Sequence, residues 1–224
     1  RECEKAGVTL GVNFHNRQMP CFIETRRIVQ SGEIGNVLMV QLEASAGVGA
    51  ASVAASWRTD PKMAGLGTSM NVGTHVYDIL RFILESEITT VSAMFDTAPG
   101  AMESTSLTTF KFANGALAQL NVNQSTPNPY NDFVIYGAKG RITGRSLTRS
   151  REGGELQVRL NDGTSRQQAY PAINAHGACV VDFSKALIEG RAPAATGIDG
   201  LRSVQLTDAM GKSAWEGVHV RLAT

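Results

Sequence analysis

The strongest candidate for acid–base chemistry is a histidine flanked by two polar residues at helical spacing. Asn71, His75 and Asp78 lie four and then three residues apart, so on a helix they share one narrow stripe. An imidazole, whose ordinary pKa is about 6.5, can accept or donate a proton at neutral pH. Asn71 can hydrogen-bond a substrate hydroxyl or orient the imidazole. We therefore predict His75 and Asn71 as catalytic residues and Asn71 and Asp78 as substrate-binding residues. On spacing alone, a structural network between His75 and Asp78 is the alternative.

A helix over residues 69–84 must position this stripe. Gly73 lies inside the helix, where glycine costs about 1 kcal/mol relative to alanine, so we expect a ligand or another backbone to pass close to it. Gly65 and Gly67 precede the helix, and its first N–H groups are expected to be free near the same place. The apolar face of the helix is suited to the core and consists of Val72, Val76, Ile79, Leu80 and Ile83.

The other histidines and a second glycine-rich run give weaker signals. His176 begins a predicted helix and joins the substrate-binding candidates, with a capping or surface role as the alternative. His15 and His219 stand in no recognisable context. Gly47-Val48-Gly49 follows a strand, but Ser52 replaces the third glycine of a dinucleotide-binding loop. The spacing of cysteines and histidines predicts no metal site.

Composition narrows the class of protein. The chain has 224 residues, of which 42% are hydrophobic, enough for a sizeable core, and its formal net charge is +1. This balance gives no field that would attract nucleic acid or an anionic membrane, and no apolar run approaches the roughly 20 residues of a membrane span. Cys3, Cys21 and Cys179 are too few and too far apart for a disulfide framework. We therefore expect a cytoplasmic protein.

Alternating apolar and polar residues predict a mostly antiparallel sheet, with Asn114-Gly115 as a hairpin turn between two of its strands. The predicted helices cover residues 20–31, 69–84, 174–189 and 199–216, and the first of them begins at Pro20 and ends before Gly32. The predicted strands cover residues 36–45, 88–97, 104–113, 115–124, 132–137, 140–145, 155–160 and 165–170.

We predict an α/β fold of the α+β type: a two-layer domain with helices on one face of an open-faced sheet. The other face needs a cover, so we expect subunit pairing through it. Residues 1–7 are predicted as the end of a helix and Val8–Phe14 as a buried parallel strand. That helix and strand are interpreted as the last unit of an α/β sheet whose other strands lie upstream.

Motifs that carry a family resemblance are spread over nearly the whole chain. They are Gly11–Arg17 with Pro20, Ser31–Val37, Trp57–Pro61, Gly65–Gly67, Asn71–Asp78, Ile135–Ile142 and Ala195–Gly200. In these motifs the chain resembles the C-terminal part of the glucose-fructose oxidoreductase / inositol dehydrogenase / rhizopine-catabolism (Gfo/Idh/MocA) family of NAD(P)-dependent oxidoreductases.

The resemblance implies a remnant of an N-terminal Rossmann dinucleotide-binding domain at residues 1–17, and a substrate-binding and oligomerisation domain at 18–224. The whole protein would transfer a hydride between NAD or NADP and a CH–OH group of a sugar, polyol or related compound. His75 would accept the hydroxyl proton, while Arg17, Trp57 and Arg58 would lie near the cofactor. The family's catalytic lysine would lie upstream, so residues 1–224 alone are expected to be inactive.

One departure from the family pattern keeps a second function open. The family's helix motif usually begins with aspartate, and this chain has Asn71 there. An amide cannot act as a carboxylate, which favours a binding role for this position. The alternative to an oxidoreductase is therefore a non-catalytic sugar-binding or assembly module on the same fold.

Overall fold

The computed structural model describes residues 1–45, 57, 60–146 and 153–223. The α-helices in these residues are α1 (Glu2–Lys5), α2 (Pro20–Gln30), α3 (Pro61–Ala64), α4 (Thr74–Leu84), α5 (Ala175–Glu189) and α6 (Gly197–Glu216). A 3-10 turn covers His15–Gln18, and a π-helical turn covers Ser69–Gly73. The strands are β1 (Val37–Ser45), β2 (Ile88–Phe95), β3 (Thr105–Phe112), β4 (Leu117–Asn123), β5 (Phe133–Gly137), β6 (Gly140–Arg145), β7 (Gly154–Leu160), β8 (Ser165–Tyr170) and β9 (Val220–Arg221).

These strands form one sheet in the order β8-β7-β6-β5-β1-β4-β3-β2-β9. Only β1 and β4, among the described strands, pair in parallel, and every other neighbouring pair is antiparallel. The predicted mostly antiparallel sheet is therefore confirmed, and β1 to β8 correspond to the eight predicted strands. The ninth strand, β9, has two residues and is too short to give an alternating pattern.

The helices cover one face of the sheet. Alternate residues of β4, such as Ala118, Leu120 and Val122, are buried, while Leu117 and Gln119 between them are exposed. The buried side chains join one core with those of α2, α4 and α6. Burying a side chain such as that of Leu120 stabilises the fold by about 1.5–3 kcal/mol relative to exposure. The predicted two-layer architecture is confirmed, and the opposite face, which we call the open face, carries the exposed side chains.

Local signals fix the ends of the elements. Pro20 stands at the first position of α2, and Gly32 follows the helix with φ +73°, in the left-handed region that favours glycine. Gly115 turns the chain between β3 and β4 with φ +91°, and the Asn114 side chain accepts a hydrogen bond from the Ala116 N–H at 3.1 Å. Both predicted turn signals are confirmed.

The predicted buried strand at Val8–Phe14 is not formed in this chain. The segment makes a single bridge, between Gly11 and Thr196, and Val8 and Leu10 are exposed. A strand needs a neighbour that pairs along its length, and within the described residues this segment forms its only β-bridge with the turn before α6. Within the described residues, no helix is both long and apolar enough to cross a membrane.

Candidate functional site

The entry to the site is a π-helical turn that leads into α4. Thus the predicted single helix over 69–84 is two elements, Ser69–Gly73 and Thr74–Leu84. Such turns are frequent at functional sites. The buried Glu103 carboxylate accepts hydrogen bonds from the N–H groups of Gly67 and Ser69, both at 2.7 Å. The helix N-terminus was expected to offer free N–H groups, and this prediction is wrong for these two.

Gly73 is required by a neighbour from its own helix. A methyl group at Gly73 would lie 2.2 Å from the hydroxyl oxygen and 2.5 Å from Cζ of Tyr77, a fully buried ring. The glycine was predicted to make room for a ligand or another backbone. The structure corrects this: the space at Gly73 is filled by the Tyr77 side chain, which locks the π turn to α4.

His75 lies in the first turn of α4 and is partly buried. Its ring meets Phe14 edge to face, with ring centroids 6.0 Å apart. It also meets the His15 ring at a centroid distance of 4.6 Å and an interplanar angle of 62°. Thus Phe14 and the first residue of the 3-10 turn place two aromatic rings against the predicted acid–base residue.

A third histidine completes a cluster. The exposed His176, in the first turn of α5, stacks on His15 with centroids 4.1 Å apart and planes 18° from parallel. We call His15, His75 and His176 the histidine cluster. His75 and His176 were predicted as site residues, but His15 was not, because three histidines so far apart along the chain give no spacing signal. The only available hint was its place in the Gly11–Arg17 motif.

Burial and mutual repulsion keep His15 and His75 uncharged at neutral pH. Burial, followed by the charges of His75 and His176, lowers the pKa of His15 from 6.5 to about 4. Burial, followed by the charge of His176, also lowers the pKa of His75. Within the described part of the chain, Nδ1 of His15 and Nδ1 of His75 are buried and have no hydrogen-bond partner. At neutral pH, His75 is therefore an imidazole able to accept a proton.

The predicted substrate ligand Asp78 is engaged in a buried ion pair. Its carboxylate accepts hydrogen bonds from Arg17 Nε at 2.8 Å and Nη2 at 2.6 Å, and it is fully buried. Arg17 Nη2 also donates to Asp199 at 2.8 Å, and Nη1 donates to the Ala194 carbonyl at 2.5 Å. Through these contacts, Arg17 and Asp78 link the 3-10 turn and α4 to the start of α6. This geometry favours a structural role for both residues over the predicted cofactor and substrate contacts.

The other predicted residues lie near or outside the described site. Asn71 is exposed within the π turn, one turn before His75, where its amide can meet a ligand. The Trp57 side chain is 57% exposed. Arg58 falls outside the described residues.

The cluster has the character of an acid–base site. No group of three histidine, cysteine, aspartate or glutamate side chains in the described ranges is arranged to hold a metal ion. The half-buried, uncharged His75 is suited to accept a proton from a hydroxyl compound, and the exposed Asn71 amide is suited to hydrogen-bond the same compound.

Comparison with known sequences gives the family. A sequence profile of the GFO/IDH/MocA C-terminal domain matches residues 22–143, more than half of the chain. The chain is 26% identical to 1,5-anhydro-D-fructose reductase from Ensifer adhaerens, covering 98% of this chain and 66% of the reductase. It is 23% identical to levoglucosan dehydrogenase from Pseudarthrobacter phenanthrenivorans, covering 91% of this chain and 64% of the dehydrogenase.

Solved structures share the fold. The crystal structure of aldose-aldose oxidoreductase from Caulobacter crescentus complexed with glycerol matches with a TM-score of 0.86 at 25% identity, covering 98% of this chain and 66% of that one. Levoglucosan dehydrogenase in complex with NADH and levoglucosan matches with a TM-score of 0.84 at 24% identity, covering 97% and 67%. The chain thus spans about two thirds of the length of its relatives. The match to the family profile establishes that the chain belongs to the GFO/IDH/MocA family, within its C-terminal domain.

Proposed function

We propose that the chain is the substrate-side part of an NAD(P)-dependent oxidoreductase that acts on a CH–OH group of a sugar, polyol or related compound. The observation that carries the proposal is His75, a partly buried and uncharged imidazole in the first turn of α4. Relatives named as a reductase of an anhydrosugar and as levoglucosan dehydrogenase support the substrate class.

In the oxidation direction, His75 accepts the proton of the substrate hydroxyl. Because Nδ1 is buried, Nε2 is the ring nitrogen left to exchange a proton with a substrate. The exposed Asn71 amide hydrogen-bonds a hydroxyl and orients it. NAD or NADP, when bound, supplies the chemistry of hydride transfer. In the reduction direction, the protonated His75 returns its proton to the oxygen of the product hydroxyl.

A preceding nucleotide-binding domain would hold the cofactor. We propose that residues 1–17 are the end of this domain and that 18–224 form the substrate and oligomerisation domain. Two observations support it: the chain covers 66% of the reductase, and a broad apolar surface is exposed beside residues 8–12. A cavity of about 210 Å³ between residues 11–14, α5 and Ala195 opens in the same region. The exposed apolar side chains of residues 8–12, α5 and the start of α6 are Val8, Leu10, Val180, Val181, Leu187, Ile188 and Ile198.

The test is substitution of His75 in the protein that includes the nucleotide-binding domain. His75→Ala is expected to lower kcat by about 10²–10⁴-fold with NADH or NADPH and an anhydrosugar, aldose or polyol, because general acid–base catalysis contributes this much. His219→Ala, at an exposed histidine outside the cluster, is the matched control and is expected to keep wild-type turnover. Equal turnover in His75→Ala and wild type would refute the acid–base role.

A second function is favoured by Asn71, which stands where the family resemblance expects aspartate. A non-catalytic sugar-binding or assembly module would retain affinity for sugars in calorimetry but show no His75-dependent turnover. The same pair of variants therefore separates the two functions. The oxidoreductase is the better supported, because a sugar-binding module has no need of an uncharged, half-buried imidazole.

We also propose a cytoplasmic location and assembly into homo-oligomers through the open face. The three thiols support the location, since Cys3, Cys21 and Cys179 are unpaired. Burial raises the pKa of the Cys21 thiol to about 12, so it is unreactive. The oligomer is supported by the exposed apolar side chains of the open face.

A further inference from the structure

The observation behind this inference is the position of His15, which was not among the residues predicted for the site. Its ring contacts two other imidazoles at once, His75 at 4.6 Å and His176 at 4.1 Å between centroids. The three rings come from three elements: the 3-10 turn, α4 and α5. His15 is thus the ring shared by both contacts.

The two ring contacts restrict different motions of the side chains. An edge-to-face pair sets the polar edge of one ring against the electron-rich face of the other, which favours one orientation of each ring. The His176 ring stacks on His15 and hinders its rotation. The backbone around His15 is also fixed, because Arg17 two residues later is held by Asp78 and Asp199. A side chain held in this way can hold its neighbour.

We propose that His15 is a positioning residue for His75: its ring, stacked on His176 and packed edge to face against His75, fixes the orientation of the acid–base imidazole and shields it from water. The proposal rests on the proposed acid–base function of His75. His15 itself transfers no proton to the substrate. Its contribution is to exclude water from the His75 ring and to hold that ring in one orientation.

The charges around His15 agree with this role. The ionisable groups that lower its proton affinity are His75 from α4 and His176 from α5. The ion pairs of Arg17 with Asp78 and Asp199 belong to the same elements and are satisfied among themselves. His15 is uncharged above about pH 4, so at neutral pH it acts on His75 through packing.

Side-chain NMR of this chain tests the proposal without turnover. Its four histidines are titrated through their imidazole resonances in wild type, His15→Ala and His15→Phe. In His15→Ala, water reaches His75, and its midpoint is expected to rise by about half a pH unit or more toward 6.5. In His15→Phe a ring remains, and the midpoint is expected to stay at or below the wild-type value. His219→Ala serves as the control for assignment and for distant effects.

Two results would overturn the proposal. One is an unchanged His75 midpoint in His15→Ala. The other applies if His15→Ala loses its folded spectrum. In that case His176→Ala, at an exposed site, is expected to raise the titration midpoint of His15 from about 4. An unchanged His15 midpoint in His176→Ala would refute the stacking of the two rings.

Kinetics on the protein with its nucleotide-binding domain separates the two proposals. His15→Ala should move the acidic limb of the kcat/KM profile for oxidation to higher pH, because the pKa of His75 rises. Full turnover in His75→Ala would end the acid–base proposal. It would leave the NMR result, and with it the packing role of His15, to be judged independently.

Discussion

At the residue scale, the proposed oxidoreductase needs a base that is uncharged at working pH and yet accessible to the substrate hydroxyl. His75 meets both needs, because it lies between a buried helix face and an exposed histidine. The pKa of the imidazole is lowered by burial and by repulsion between the rings of the histidine cluster. This arrangement lowers the free energy of unfolding in acid, because His15 and His75 bind protons less readily in the folded chain than in the unfolded chain.

The pH dependence of unfolding measures this cost. The unfolded chain protonates His15 near pH 6.5 and the folded chain only near pH 4, so stability is retained above pH 6.5 and lost as the pH falls through that window. His15→Phe keeps a ring and removes the titration. Between pH 7 and 4.5 this variant should lose about 1–2 kcal/mol less than wild type, allowing for solvent screening.

Urea unfolding at the two pH values is the measurement. His219→Phe, at an exposed site, is the matched substitution and should lose as much stability as wild type. If His15→Phe loses as much unfolding free energy as wild type between the two pH values, the pKa of His15 is not lowered in the folded chain.

At the element scale, the π turn and α4 form one unit held by Gly73 and Tyr77. Gly73→Ala places a methyl group 2.2 Å from the Tyr77 hydroxyl and 2.5 Å from its ring, so a fully buried ring must move. We expect a loss of about 1–3 kcal/mol in the free energy of unfolding, as for other overpacked sites. Thermal and urea unfolding of the variant would measure it.

A second helical glycine provides the control for Gly73→Ala. In α6, a methyl group at Gly211 would meet the edge of the Trp215 ring at 3.3 Å and a methyl carbon of Leu66 at 3.6 Å, and the Trp215 side chain is 38% exposed. Gly211→Ala should therefore lie within about 1 kcal/mol of wild type, because the helix propensity of alanine offsets the contact. Equal losses at the two glycines would mean that the Tyr77 contact is unimportant.

Elements whose residues alternate or repeat with a clear period could be predicted from sequence. The eight longer strands and four longer helices followed from periodicity, Pro20 and the Asn114-Gly115 turn. Val8–Phe14 was predicted as a strand that pairs with strands upstream, and within this chain it forms only the bridge between Gly11 and Thr196, because an apolar run does not itself supply a pairing partner. His75 was found through its helix, whereas His15 was missed because three elements distant in sequence bring the rings together. Contacts of this kind depend on tertiary packing, which local patterns do not encode.

At the scale of the whole molecule, the open face carries several exposed apolar side chains. Met94 pairs with Leu107 across β2 and β3, and Leu117 lies on the next strand of the same face. All three are more than half exposed, Met94 at 73%. Sheets with one uncovered apolar face bury it against another layer, and a second copy of this chain provides a matching one.

Lysines placed on this face should prevent the pairing. Met94→Lys with Leu107→Lys is expected to convert the proposed oligomer to a monomer, because association through a two-fold interface would bury the unpaired charges of both lysines from each copy. Ile23→Lys, on the exposed side of α2, adds a charge away from the face and should leave the oligomer intact. Light scattering coupled to size-exclusion chromatography gives the mass. A monomeric wild-type chain would contradict the prediction.

The parallel pairing of β1 with β4 determines the order in which the sheet can be assembled during folding. β1 lies between β5 and β4, and its register partner for Met39, Leu117, comes about 80 residues later along the chain. During synthesis β1 therefore leaves the ribosome with neither neighbour available, and its backbone N–H and C=O groups stay unpaired until the β3–β4 hairpin has been made. The centre of the sheet is thus completed late, and the nascent chain is most exposed to aggregation in the interval before β4 emerges.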